Sequence, residues 1–237
     1  MSRPHLIVFL GPRGAGKSTQ MMLLASELRK KGLKVKTSYI KTGIILGFLV
    51  ASFLVKVFVR KKQNKPPFMV LLEEMPLFFK KTFRLWPILD LIIVTVKFLL
   101  GIYVPMKLGY NVLVEDYIPS IITDYIYLAK FINASIKRSS FALSIIFKLM
   151  FLSGSPHIIF LNADANMLKN RRLQRGDLDE YQDYLHVQQI TLKSFSESFL
   201  SHEILCIDTS KNSIKGTRNK IISYLFNSDK RIRNFHC

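Results

Sequence analysis

Nine residues near the start of the chain, Gly11 to Thr19 (GPRGAGKST), set three glycines, a lysine and two hydroxyls at fixed offsets. They fit the pattern G-x-x-x-x-G-K-[ST]. Gly11, Gly14 and Gly16 let the backbone curl so that successive N–H groups point inward, as a cradle for phosphate oxygens requires. A helix starting at Lys17 adds the positive end of its dipole. Lys17 can reach β- and γ-phosphates, and the Ser18 hydroxyl can ligate magnesium. The stretch Gly11, Pro12, Arg13, Gly14, Ala15, Gly16, Lys17, Ser18 and Thr19 is therefore a candidate site for a nucleoside triphosphate, with ATP and Mg2+ as the implied ligands. The plainer alternative is a glycine turn that only joins a strand to a helix.

Such chemistry also needs an acid near the metal, at the carboxyl end of a neighbouring strand. Glu115 and Asp116 follow the apolar run VLV and meet that need, with Glu115 as the metal-side acid; a pair of solvated acids would look the same. Cations must screen the moving phosphoryl group. Arg171 and Arg175 share a helical face at the edge of the polar stretch Arg175 to Asp179. A basic helix end, solvated and matched to its own dipole, is the competing account.

The elements that position these groups read as alternating strands and helices. His5–Leu10 (HLIVFL) is a short apolar run without alternation, the mark of a buried parallel strand. Lys17–Lys31 reads as a helix stopped by Gly32, and Leu33–Ile40 as a second strand. Phe68–Val104 reads as helix in two or three pieces, punctuated by Pro76 and Pro87. Asn111–Val114 is a strand ending at Glu115, and Ser120–Leu152 is apolar and helical. His157–Leu161 is a strand, Asp164 caps a helix running to about Gln174, and another helix spans Glu180 to about Ser201. Ile204–Ile207 is the last strand before a C-terminal helix. The expectation is one α/β domain over 1–237, a P-loop sheet of five strands flanked by helices.

Composition bounds the partners. The chain is 49% apolar and carries +19. Residues 1–114 hold 19 Lys/Arg against 4 Asp/Glu, or +15, and residues 115–237 hold 16 against 12, or +4. Such a balance attracts polyanions. With no aromatic-basic motif, nucleic acid ranks low among them. Cys206 and Cys237 give no disulfide framework, and no signal peptide is evident, so a cytoplasmic setting is expected. Gly43–Val59 is apolar around its whole circumference and is followed by Arg60, Lys61, Lys62 and Lys65. It reads either as a buried helix with a basic loop or as a segment resting on the anionic inner face of a membrane. A clean membrane span is not expected: Leu85–Pro105 is long enough but holds Asp90 and Lys97.

The segments around the acid carry a resemblance. Pro105, Gly109, NVLV and EDYIPS (Glu115 to Ser120), FLNAD (Phe160 to Asp164), Arg171 with Arg175–Gly176, and Ile207 to Ser210 fall in the order and spacing of motifs in thymidylate kinases. The chain resembles that family over about four-fifths of its length. The resemblance implies a parallel sheet of order 2-3-1-4-5 and transfer of the ATP γ-phosphate to a nucleoside monophosphate such as dTMP. It implies Lys17, Arg171 and Arg175 as catalytic cations, Ser18 and Glu115 at the metal, and Arg13, Asp116 and Tyr117 toward the acceptor, with a lid in the region of about 171–180. It leaves a homodimer open.

Three departures stand out. The family's Asp-Arg is Glu115–Asp116 here, the carboxylate of its phosphate loop aligns with Arg13, and its R-E-P-type segment is replaced by Tyr39–Val59. An ion pair between Arg13 and Asp116 with signs exchanged is one expectation, and two unrelated substitutions the other. A nucleotide-binding protein with another acceptor, or without transfer, is the competing function.

Overall fold

A run of apolar residues without alternation has to be covered on both faces, and a parallel sheet between helix layers is how a chain does this. The computed structural model describes residues 5–40, 74–83, 85–134, 141–176, 182–200 and 204–234. The apolar run Gly43–Val59, its basic cluster and residues 177–180 of the lid stretch lie outside them.

Five strands form one parallel sheet: β1 (Leu6–Leu10), β2 (Val35–Tyr39), β3 (Asn111–Glu115), β4 (His157–Asn162) and β5 (Ile204–Asp208). Their order is β2-β3-β1-β4-β5, as the resemblance implied. Leu6 pairs with Val112 on one side of β1, and Ile7 with His157 on the other. Strand alternation then splits the core. Leu6, Val8, Leu10, Val112, Val114, Ile158 and Phe160 face one apolar layer, and Ile7, Phe9, Leu113, Ile159 and Leu161 face the other.

The second layer is closed by α1 (Lys17–Lys30) and by the C-terminal helix, numbered last below. Gly32 ends α1 with φ 76°, a left-handed stop that glycine takes without strain. The first layer is closed by α3 (Trp86–Phe98), α5 (Ile118–Phe131) and α6 (Phe141–Leu152), with Phe83 at the end of α2 (Pro76–Thr82) joining it. A π-helical turn, Leu99–Tyr103, joins α3 to α4 (Val104–Lys107). Pro76 and Pro87 sit in the first turns of α2 and α3, where a missing N–H is harmless. Asp90, which interrupts the apolar sequence, points inward: it is buried and accepts the Tyr125 hydroxyl at 2.6 Å. The expected helix Ser120–Leu152 is two, α5 and α6.

Helix α7 (Ala165–Gln174) is capped by Asp164, whose carboxylate accepts the Met167 N–H at 2.8 Å. Helix α8 (Gln182–Phe195) continues into a π-helical turn, Ser196–Leu200, and α9 (Ile214–Asn234) is the C-terminal helix.

Candidate nucleotide-binding site

The site sits at the carboxyl end of the sheet, where β1, β3, β4 and β5 release their loops. Gly11 leaves β1 with φ 138°, and Gly14 and Gly16 follow with φ 86° and 91°. These values lie where side chains are strained. No side chain caps α1 and no acid stands in its first turn, so its free N–H groups and dipole remain for an anion. Pro12 and Ala15 are buried in the turn, the Ala15 N–H bonding Pro12 O at 3.3 Å, while Arg13, Ser18 and Thr19 are exposed.

Lys17 is 5% exposed, and its ammonium donates to Gly11 O at 3.0 Å and Pro12 O at 3.1 Å. It also lies 3.4 Å from Asp116 Oδ1. Asp116 is thus paired with the loop lysine, and the expected exchange with Arg13 is replaced by this pair. The reason is local: Asp116 adopts φ 50°, a left-handed backbone that turns its side chain from the end of β3 toward the loop.

Ser18 Oγ donates to Glu115 Oε1 at 2.8 Å, bringing together two residues 97 positions apart. A hydroxyl and a carboxylate meeting beside a lysine is the donor set a magnesium ion with phosphate oxygens takes, so the residues fit that ion. Burial raises the Glu115 pKa above the ordinary carboxylate range, and Asp116 adds to this. The Ser18 hydrogen bond, Lys17 and Arg175 oppose it.

The sign of the consequence is set by the unfolded chain, where Glu115 ionises more easily. Above its raised folded value the ionised group costs stability. That cost shrinks as pH falls through the folded value and is gone below the unfolded one. Glu115→Gln is therefore expected to raise the melting temperature at neutral pH, with the gap to wild type closing as pH falls below the ordinary carboxylate value. Thermal melts across a pH series measure it. A constant gap at all pH would separate the effect from ionisation.

The arginines divide. Arg171 Nη1 donates to Gly14 O at 3.2 Å and to Thr209 Oγ1 at 3.0 Å, and its Nη2 donates to Thr209 O at 3.0 Å. Its fork ties the phosphate loop to the end of β5, which suits bracing better than the expected closure over a moving group. Arg175 lines the cleft beside the loop and also acts electrostatically on Glu115. An open cleft of about 480 Å³ runs beside the loop, lined by Gly16, Thr19, Arg171, Arg175, Thr209 and Asn212 among others.

Tyr117 lies in the core and does not line the open cleft. Its ring is fully buried and its hydroxyl pairs with Ser153 Oγ at 2.9 Å, because α5 starts at Ile118 and turns Tyr117 into the core. Two contributors went unnoticed in the sequence. Thr209 bonds Arg171, Ala15 O and Asn162 O, and Gln20 ties α1 to Ile214 O at 2.9 Å. For Thr209 the signal was its place between Ile207 and Ser210. For Gln20 it was its place directly after the loop.

A glycine loop between a central parallel strand and a helix, with its lysine and serine facing an acid on the next strand, decides the architecture. The fold is the α/β P-loop fold. Solved structures agree. The chain superposes on thymidylate kinase from Candida albicans with a TM-score of 0.56 at 16% identity, over 97% of this chain and 94% of that one. It superposes on deoxyadenosine kinase from M. mycoides, with the products dCMP and dCDP bound, at 0.54 and 16%, over 93% and 98%. With dCTP bound, the same enzyme gives 0.55 and 15% over the same shares. By sequence the chain matches no family model and no curated protein.

Proposed function

We propose that the chain is an ATP-dependent nucleotide kinase, similar to thymidylate kinase, which moves the γ-phosphoryl group of ATP to a (deoxy)nucleoside monophosphate. The observation that carries this reading is the Ser18–Glu115 contact at 2.8 Å beside the Lys17 ammonium. A triphosphate-binding loop has that pairing when it also holds a metal. In this reading the loop N–H groups and the start of α1 bind the β- and γ-phosphates, and Lys17 neutralises them. Ser18 and Glu115 would hold Mg2+, which when bound draws charge from the phosphate oxygens. Arg171 keeps the loop in shape. Arg175 stands between the cleft and Glu115 and is the better placed of the two to meet developing charge. Arg13 is exposed on the loop, on the side that the resemblance gives to the acceptor. dTMP as acceptor, and a cytoplasmic setting, belong to this reading.

A second reading is favoured by Asp116. The resemblance puts a cation there, and a buried carboxylate repels a phosphate-bearing acceptor. The acceptor would then be a neutral hydroxyl, or transfer would be lost.

Incubation with ATP and magnesium against a panel of nucleoside monophosphates and of nucleosides tests both, with ADP and the phosphorylated product measured. ADP formation with a monophosphate is the expected result. Turnover with nucleosides alone selects the second reading. ATP binding without turnover leaves a binding protein, and absence of ATP binding removes the reading altogether.

A further inference from the structure

The continuous helical stretch Trp86–Lys107 is 22 residues long and apolar enough to cross a membrane by length and composition, and only 28% of its most apolar part is buried. Its two faces differ. Trp86, Asp90, Val94, Phe98 and Ile102 are buried in the protein. Ile88, Ile92, Val96, Leu99, Leu100 and Val104 are exposed, Ile92 to 60% and Leu100 to 66%. A helix rises 1.5 Å per residue, so this outer stripe, from Ile88 to Val104, runs for about 24 Å. The π-helical turn at Leu99–Tyr103 takes more residues per turn than an α-helix. It counters the drift that a four-residue repeat otherwise has, and keeps 96, 100 and 104 on the outer face. An apolar stripe of this length is unusual for a surface meeting only water.

Two features say what covers it. The acid in the stretch, Asp90, is spent on Tyr125 inside, so the outer face of Trp86–Lys107 carries no carboxylate. Its flanks are basic: Lys80 and Lys81, just before the stretch on α2, and Lys107 at its end are exposed. The stripe also lies in the half of the chain that carries +15 by count. Two such faces brought together would repel each other, whereas a negatively charged lipid surface is attracted by the lysines and accepts the apolar side chains.

We infer that the protein docks on anionic bilayers with Trp86–Lys107 lying in the plane of the interface, its outer stripe among the upper acyl chains and the flanking lysines at the headgroups. The stretch does not span, because leaving the protein would strip Val94, Phe98 and Ile102 from the core and free a buried Asp90. The inference does not depend on which acceptor the site uses.

The test is flotation of the full chain with vesicles of phosphatidylcholine alone and of equal parts phosphatidylcholine and phosphatidylglycerol. Binding to the anionic vesicles is expected, with salt weakening it only in part, since the apolar contribution is unscreened. Ile92→Asp with Leu100→Asp should lower the partition about tenfold or more. Both positions are exposed, so the melting temperature should stay near that of wild type. Lys80→Glu with Lys81→Glu should remove the preference for phosphatidylglycerol and provides a variant that leaves the apolar stripe untouched. Wild-type protein that stays unbound at low salt overturns the proposal, as does binding indifferent to the Ile92 and Leu100 changes. So does a solution dimer that the Ile92 and Leu100 changes turn into a monomer, because the stripe would then be covered by a second copy.

Discussion

Lys17→Ala is expected to weaken ATP–magnesium binding by about a hundredfold or more, because one preorganised donor in such a site is worth that much and this one is charged. The structure adds a second loss. Lys17 is a charge partner of Asp116, 3.4 Å away in a largely buried position. Removing the lysine leaves that carboxylate beside the phosphate cradle, where it repels the ligand and destabilises the fold. Lys17→Ala with Asp116→Asn should therefore regain part of the lost stability and of the lost affinity, and Asp116→Asn alone should bind ATP more tightly than wild type. Calorimetry gives the affinities and urea denaturation the stabilities. A single Lys17→Ala change with unaltered ATP affinity would count against the site itself, and strict additivity in the double variant would count against the Lys17–Asp116 coupling.

Gly11→Ala is expected to cost about 3–5 kcal/mol of stability, a large share of what a domain has. A methyl group at Gly11 would stand 1.9 Å from the Leu161 carbonyl oxygen and 3.0 Å from its carbon, on the neighbouring strand β4. The backbone there holds φ 138°, which disfavours any side chain. Relief would require parting β1 from β4 in the middle of the sheet. Gly16→Ala makes the instructive contrast. Nothing stands within 4 Å of that methyl position, so only the cost of φ 91° remains, about 1–2 kcal/mol. Because Gly16 lines the nucleotide cleft, its methyl group should weaken ATP binding in a protein that is still folded. Denaturation midpoints and calorimetry on the two variants separate them. Equal losses of stability would show that close packing at Gly11 is not what demands glycine there.

What could be read from the sequence was whatever local chemistry specifies. The loop Gly11–Thr19 needs its residue types at fixed offsets, and the strands on either side of it are apolar without alternation, so both were visible. The Asp164 cap and the end of α7 at Gln174 were visible for the same reason. What the sequence hid depends on which residue stands opposite. Asp90 looked like a break in an apolar run, yet the turn of the helix aims it at Tyr125. Tyr117 looked like a pocket residue beside two acids, yet the start of α5 rotates it inward to Ser153. Arg171 looked like a lid cation and is anchored by Thr209, 38 positions away. The partner of Asp116 was misjudged because a left-handed backbone at a non-glycine residue leaves no trace in composition.

The order β2-β3-β1-β4-β5 also governs how this protein comes into being. Strand β1 is made first, yet its neighbours are residues 111–115 and 157–162. During synthesis LIVFL waits, unpaired and apolar, while well over half of the chain leaves the ribosome. Long-range parallel pairing is slow to form, and an uncovered strand invites aggregation meanwhile. The phosphate loop is thus translated before the strands that flank β1 and takes its shape only after them. Strand β1 enters a sheet only when β3 and β4 arrive to flank it.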